Sequence, residues 1–544
     1  MPAWTLISFV FFTALVAFLT WKITRGKGTD TEDGFFLAGR SLTGLVIAGS
    51  LLLTNLSTEQ LVGLNGGAFL KGLSVMAWEV IAGCALVALA LFFLPRYLKS
   101  GITTIPQFLE ERYGAGTRAL TTGIFIIAYM LILLPFVLFS GASALAYMLD
   151  LPTQLGLSDT ATIWLVVAFI ALVGSAYAIF GGLRAVAVSD TFNGLGLLIG
   201  GILITYFSLR FAAGAEGSIF GVFSEIKAAN PDAFVSLGKA GEDEHWPTLF
   251  TGILLLNFFY WTTNQQIIQR TFAAKNLAEG QKGVLLAAFF KILAPLILVI
   301  PGIVALHLAN NNVEFNELLL NQQGERADSR VYGALVHTVL PAPLTGFFAA
   351  VVVGSILSTF NSVLNSSATL FSLGVYKTTI KPGASNREVV ASGRWCSALV
   401  ALCAALGAPL IFMGRDGIFN FFQNLNAIYF IPLLAIIMVG MFEKRADGRS
   451  AIITACVGLL IMLWGTFTGS AWVAATFGSA FHFMGLVFLL LVGLQLLLGT
   501  RMRLASPYVQ RDAQVVDLTP WPHANKVGLG LVTAVIVVYL LLAR

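Results

Sequence analysis

The stretch LLLTNLSTEQLVG (51–63) turns polar inside an apolar run, placing Thr54, Asn55, Ser57, Thr58, Glu59 and Gln60 where hydrocarbon-grade sequence precedes and follows. LLLNFFYWTTNQQIIQR (254–270) does the same with Asn257, Tyr260, Asn264 and Gln265. Between and beyond these islands, Glu79 in VMAWEVIAGCAL and Lys291 in LLAAFFKILAPLIL each stand as a lone charge in an otherwise uncharged span. A charge at the centre of a membrane helix costs ~2.5–3.5 kcal/mol on insertion scales, so such residues face the protein interior and find partners. Opposite in sign, Glu79 and Lys291 can neutralise one another, directly or through a shared ligand. One reading is a fixed ion pair that sets helix register. The other is a polar pocket of zero net charge, which suits a neutral polyhydroxylated solute because each hydroxyl needs both a donor and an acceptor.

The islands add carboxamides that can serve adjacent hydroxyls from both ends, at Asn55, Gln60, Asn257, Asn264 and Gln265. Trp78, Tyr260 and Trp261 supply flat faces on which the C–H surface of a sugar can pack, although any one of them also fits core packing or an interfacial belt. A third polar group lies in VVVGSILSTFNSVLNSSATLF (351–371), where Ser355, Ser358 and Thr359 share a helix face at spacings of three and four. They either knit helices together or complete an oxygen site for a small hard cation, with carbonyls freed where the 51–63 helix unwinds. Asp190, in FGGLRAVAVSD, is either a relay for a leaving cation or proton, or the partner of a nearby Arg.

These residues need helices to hold them in a bilayer. The chain has 544 residues, 57% hydrophobic and 11% charged, against roughly 25% charged in a soluble domain. Runs such as 118–147, 160–180, 187–208, 284–306 and 479–499 each hold the ~20 apolar residues that cross a membrane. Apolar runs bounded by charged or turn-rich segments predict an all-α polytopic protein of about fourteen spans. The first run, 5–22, lacks a basic leader region and a small-residue cleavage site, and reads as a retained peripheral helix. Inside loops are assigned to Arg96, Lys99 and Arg112; to Arg184; to Arg270, Lys275 and Lys282; and to Lys377, Lys381, Arg387, Lys444, Arg445, Arg449, Arg501 and Arg503. By the positive-inside rule both termini then fall outside. This bias accounts for the net charge of +5 without nucleic acid as a partner.

No soluble domain interrupts the spans; the polar segments 212–247, 309–341 and 500–525 read as connecting loops. Each polar island opens a set of about five spans, 44–211 and 248–441, with peripheral helices in 448–544, all within one transporter domain over 1–544. Five is odd, so the second set enters the membrane from the opposite side. That spacing is the mark of an inverted repeat with interrupted helices at a midplane binding site. Cys84, Cys396, Cys403 and Cys456 lie in apolar runs without CxxC spacing, so a disulfide framework or zinc site is not expected. No nucleophile with a base, phosphate loop or metal-ligand cluster argues for an enzyme.

The segments DGFFLAGRSL (33–42), NLSTEQLVG (55–63), TIPQFLEERY (104–113), YAIFGGLRAVAVSD (177–190), YWTTNQQIIQRTFAAKNLAEGQKG (260–283) and LNSSATLFS (364–372) together resemble the solute:sodium symporter family, and within it the bacterial sodium/galactose symporters. The resemblance covers nearly the whole chain. It implies fourteen helices around a five-plus-five inverted repeat and sodium-coupled alternating access in the bacterial inner membrane, with Na+ as coupling ion and no organic cofactor. By motif position it implies sugar contacts at Gln60, Glu79, Asn257, Lys291 and Gln423, with Tyr260 as an inner gate held by Asn55, and Trp78 and Trp261 nearby. Sodium would take the carbonyls of Leu53, Leu56 and Ser355 and the hydroxyls of Ser358 and Thr359, and Asp190 would help it leave inward. Trp78 and Ala82 stand where the sugar-site pattern has Tyr and Ser, and Leu53 and Ser355 replace alanines. The expected function is sodium-coupled import of a neutral sugar such as galactose or glucose, or a related polyol. The rivals are proton coupling through Glu59 or Asp190, and a sodium symporter for another solute such as an amino acid, sialate or inositol.

Overall fold

In the computed structural model, residues 3–24, 37–214, 217–321, 324–415 and 417–543 are described, with side chains except at 24 and 176–186. Arg25, Lys27 and the DGFF of 33–36 therefore lie outside the described residues, as do the side chain of Arg184 and most of those in YAIFGGLRAVAVSD. The described residues form helices joined by turns and by longer irregular segments at 235–248 and 502–523, with no β-strand among them. Ten helices among them are long and apolar enough to cross a membrane, or eleven if the bent pair Leu277–Leu293 and Pro295–Asn311 counts as one span. Gly44–Asn55, Asp159–Ser175 and Leu249–Thr262 are shorter apolar helices. Length and composition of whole helices thus fall short of the fourteen spans expected, because a helix broken by polar residues no longer reads as one membrane-length rod.

Both polar islands break their helix. Gly44–Asn55 stops at Leu56 (ψ 53°), Ser57 is extended, and Thr58–Lys71 starts again. Leu254–Thr262 stops at Thr263, Asn264 is extended (ψ 120°), and Gln265–Phe272 resumes. Ser, Thr and Asn side chains offer the backbone local alternatives to helical bonds, which is why the interruption falls where they cluster. The helix bearing Lys291 ends at Leu293, and the chain bends 45° at Pro295, whose ring cannot continue the hydrogen-bond ladder.

The element Asp159–Ala213 passes one level of Ala342–Phe371 twice. Gly174 lies against Leu357 and Phe360, Asn193 lies over Gly354, and Gly196 and Gly200 lie over Val351 and Phe348. The legs 159–175 and 187–213 therefore act as two spans, which brings Asp190 beside the face carrying Ser358. Close helix approach is set by small residues, as is usual between membrane helices. Gly302 is one such case: a Cβ there would sit 2.3 Å from the Asn65 carbonyl oxygen. Gly302→Ala is expected to cost about 1–3 kcal/mol, seen as a lower unfolding temperature in detergent; an unchanged midpoint would mean these helices do not touch.

Candidate functional site

Glu79 and Lys291 meet. The Lys291 ammonium donates to the Glu79 carboxylate and to the Asn55 amide oxygen, and both charged side chains are about 1% exposed. Three separate helices converge here, because Asn55 is the last residue of the first broken helix. Lys291 also lies 5.5 Å from the centroid of the Trp261 ring, within cation–π range.

Around this ion pair is a pocket lined by Asn55, Glu59, Gln60, Trp78, Glu79, Asn257, Tyr260, Trp261 and Gln423 among others, with about 30 Å³ of open space. A cavity needs roughly 10–15 Å³ to hold one water, so the pocket as it stands has room for water and not for a hexose. Gln60, Trp78, Glu79, Asn257, Tyr260, Trp261 and Gln423 line this wall, whereas Lys291 reaches it through Glu79 and Asn55, and Asn264 and Gln265 do not line it. Gln60 Oε1 is buried without a hydrogen-bond partner, an orphan acceptor that a solute hydroxyl would satisfy. Asn257 donates through Nδ2 to the Ile253 carbonyl, 3.0 Å away in its own helix, which leaves its oxygen for the pocket. Gln423 accepts from Asn426 at 3.1 Å.

Tyr260 closes one side of the pocket, its ring 5.3 Å from that of Trp261 at 80°. Its hydroxyl accepts from Gln266 Nε2 at 3.3 Å and also bonds the Asn55 side chain. Asn264 and Gln265, expected to offer amides to a solute, do other work. The Tyr129 hydroxyl donates to Asn264 at 2.5 Å, and Gln265 accepts from the Ile105 backbone N–H at 2.8 Å. They hold the second broken helix against its neighbours. Glu59 is an addition to the neutral pair: it lines the same pocket and accepts from the Ser57 hydroxyl.

Next to the pocket, the break at 55–57 faces Ala342–Phe371. Thr359 Oγ1 donates to the Thr54 carbonyl at 3.2 Å and Ser355 Oγ to the Leu56 carbonyl at 3.5 Å. Leu53, Leu56, Ser355, Ser358 and Thr359 are all buried. An unwound segment and one helix face thus bring hydroxyls and backbone carbonyls together here. Ser358 donates its hydroxyl to Asp190, which also accepts from Ser50 at 2.7 Å and lies 3.5 Å from Arg270.

Arg270 corrects the sequence reading. Assigned to an inside loop, it is fully buried and donates to Ser50 at 2.7 Å, to Ser362 and to the Gln266 carbonyl. Asp190 thus faces an Arg as well as the Ser358 hydroxyl. Arg112, also counted as a loop charge, is buried as well, with its guanidinium on the carbonyls of Gly440, Glu443 and Ala446. It satisfies the end of Ile418–Phe442, where helix carbonyls lack partners.

One residue lay beyond sequence reasoning. Glu244, in the segment read as a connecting loop, is buried and accepts from Trp78 Nε1 at 3.4 Å and from Lys71 at 2.8 Å. Its neighbourhood in sequence, GEDEH, is polar without period, and nothing in it distinguishes the inward-turned carboxylate.

The model of the sodium:solute symporter family matches residues 35–458. The chain belongs to the sodium:solute symporter family. The symporter is 42% identical over 542 residues to the uncharacterised symporter YidK of Escherichia coli strain K12, covering 99% of this chain and 91% of that one. It is 31% identical to the sodium/glucose cotransporter of Vibrio parahaemolyticus, over 80% and 79% of the two chains. Against the sodium/myo-inositol cotransporter 2 of Sus scrofa it is 29% identical, over 85% and 69%. Among solved structures, a Na+-coupled sialic acid symporter in a substrate-bound outward-open state shares the fold at TM-score 0.74 and 20% identity, covering 93% and 99% of the chains. The nucleobase-cation-symport-1 transporter Mhp1 shares it at TM-score 0.53 and 16% identity, over 87% and 96%.

Proposed function

We propose that this symporter couples inward sodium movement to the import of a neutral polyhydroxylated solute, a hexose or a cyclitol, across the bacterial inner membrane. The observation that carries this reading is the Glu79–Lys291 pair inside the pocket. A pocket whose strongest donor and acceptor already cancel favours a ligand with hydroxyls over one with a net charge. Gln60, Asn257, Gln423, Trp78 and Trp261 would complete the solute contacts. The similarity to sodium/glucose and sodium/myo-inositol cotransporters supports the same class.

In this reading the carbonyls of Leu53, Leu56 and Ser355 and the hydroxyls of Ser358 and Thr359 hold sodium. Both termini and the 212–247 loop lie outside, and Tyr260 closes the inner side. Sodium first draws the broken helix onto the Ser358–Thr359 face. Solute then favours closure on the outer side, and movement of Tyr260 with Asn55 opens the inner side. Asp190 receives sodium on its way in. A membrane voltage of 100 mV supplies ~2.3 kcal/mol for each sodium carried.

Thr359→Ala removes a proposed ion ligand and leaves the solute wall untouched. The sodium concentration for half-maximal uptake should rise about tenfold with little change in solute KM at saturating sodium. A superimposable sodium curve would reject the cation site. Uptake of radiolabelled hexoses and cyclitols into proteoliposomes tests the solute class, and uptake restricted to acidic solutes would overturn it. Glu59 in the pocket wall favours a second reading, proton coupling. Uptake that persists in sodium-free choline buffer across a pH gradient would decide for it.

A further inference from the structure

The loop before the second broken helix is a built object. The Trp246 backbone N–H donates to the Leu237 carbonyl at 2.8 Å, closing the segment on itself, and Gly238 adopts φ +61° where an added Cβ would fall 2.7 Å from the Glu244 carbonyl oxygen. The loop is seated on the protein at Gly72 (φ +71°), where an added Cβ would fall 2.4 Å from the Ala233 carbonyl oxygen. Only glycine permits both the left-handed backbone and that approach.

From this platform two consecutive carboxylates reach four different elements. Glu244 accepts from Lys71, at the end of Thr58–Lys71, and from Trp78, at the start of Ala77–Ala88. Asp243 accepts from Asn420 of Ile418–Phe442 at 2.9 Å and from Ser479, the cap of Ala480–Arg501, at 3.0 Å. Trp78 is the member of this group that lines the pocket, where its ring meets Phe419 at 5.4 Å and Phe481 at 5.6 Å, both edge-on. The indole N–H is donor-only and buried, so its acceptor decides the ring's position. Glu244 is itself about 1% exposed, and such a carboxylate is held in place by the donors it faces.

We propose that Glu244 is a positioning residue for solute selection and the outer latch of the pocket, holding Trp78 across the entrance and letting go when the pocket opens outward. This rests on the solute pocket proposed above. In this latch, outward opening parts the helices bearing Lys71 and Trp78 from the Ile418–Phe442 and Ala480–Arg501 pair, which the Asp243–Glu244 dipeptide bridges on the loop side. Hydrogen bonds to a charged group are strong enough that losing them shifts a two-state balance by about tenfold.

The test reads closure directly. A single cysteine replaces Leu256, which lines the pocket, in a chain whose four native cysteines are serine, and whole cells are treated with a membrane-impermeant thiol reagent in sodium buffer. With Glu244→Ala the outside labelling rate should rise about tenfold, and KM for galactose or myo-inositol should rise with the sodium curve unmoved. Glu244→Gln keeps an acceptor for Trp78 and loses the charge pair with Lys71, so it should fall between; it also serves if the alanine variant does not reach the membrane. Trp78→Phe combined with Glu244→Ala should label no faster than the faster single variant. Labelling that matches the parent in both Glu244 variants, or strictly multiplicative effects in the double variant, would overturn the latch. Because labelling needs no solute, a failure of the sugar assignment shows up separately, as absent uptake of both probes.

Discussion

Lys291→Ala is expected to abolish solute uptake while protein still reaches the membrane in reduced amount. Its ammonium is the donor shared by Glu79 and Asn55, so its removal strips charge compensation from a buried carboxylate. Breaking a buried pair from one side costs about 3–5 kcal/mol, which should appear as a markedly lower unfolding temperature in detergent. Glu79→Gln combined with Lys291→Met removes both charges and should recover most of that stability, since no uncompensated ion remains. Uptake should stay absent in the double variant. The two readouts separate the structural role of the pair from its proposed role toward the solute. Recovery of uptake along with stability would show the pair to be a register device alone.

Arg270→Ala should be comparably severe, and for a different reason. The guanidinium bonds Ser50, Ser362 and the Gln266 carbonyl and faces Asp190, tying the second broken helix to the first and to Ala342–Phe371. Its loss leaves Asp190 buried without a counter-charge, again about 3–5 kcal/mol, and frees the helix end below Tyr260. Arg270→Lys restores charge and should still fail to restore full uptake, because a point-like ammonium cannot serve several acceptors along a planar fork. Asp190→Asn with Arg270→Gln should regain stability. Parental stability and uptake in Arg270→Ala would show the cluster to be dispensable.

Much of this was legible beforehand because hydrocarbon makes polarity expensive. A lone Glu79 and a lone Lys291, 212 residues apart, had no affordable arrangement except convergence, and they converge. Thr54 to Gln60 and Thr262 to Gln265 could not continue a bilayer helix without offering the backbone other partners, and both helices break there. The sequence motifs likewise placed the chain in the family that the family model matches.

The same reasoning failed where a residue's partner is set only by folding. Arg112 and Arg270 sit at the ends of apolar runs, where a charge facing water and a charge turned inward read alike. Helix packing supplied the carbonyls and the carboxylate that draw them in. Asn264 and Gln265 have the composition of pocket residues, yet Tyr129 and Ile105 reach them first. Glu244 has no periodicity to betray it, and its burial depends on Trp78 and Lys71, more than 160 residues earlier.

The sequence by itself determined that the chain lives in a membrane, where its helices break and which isolated charges must be reconciled, since each follows from the local free energy of putting polar atoms in hydrocarbon. Tertiary structure alone decided which donor meets which acceptor, because that choice is made between distant segments competing for the same few buried groups.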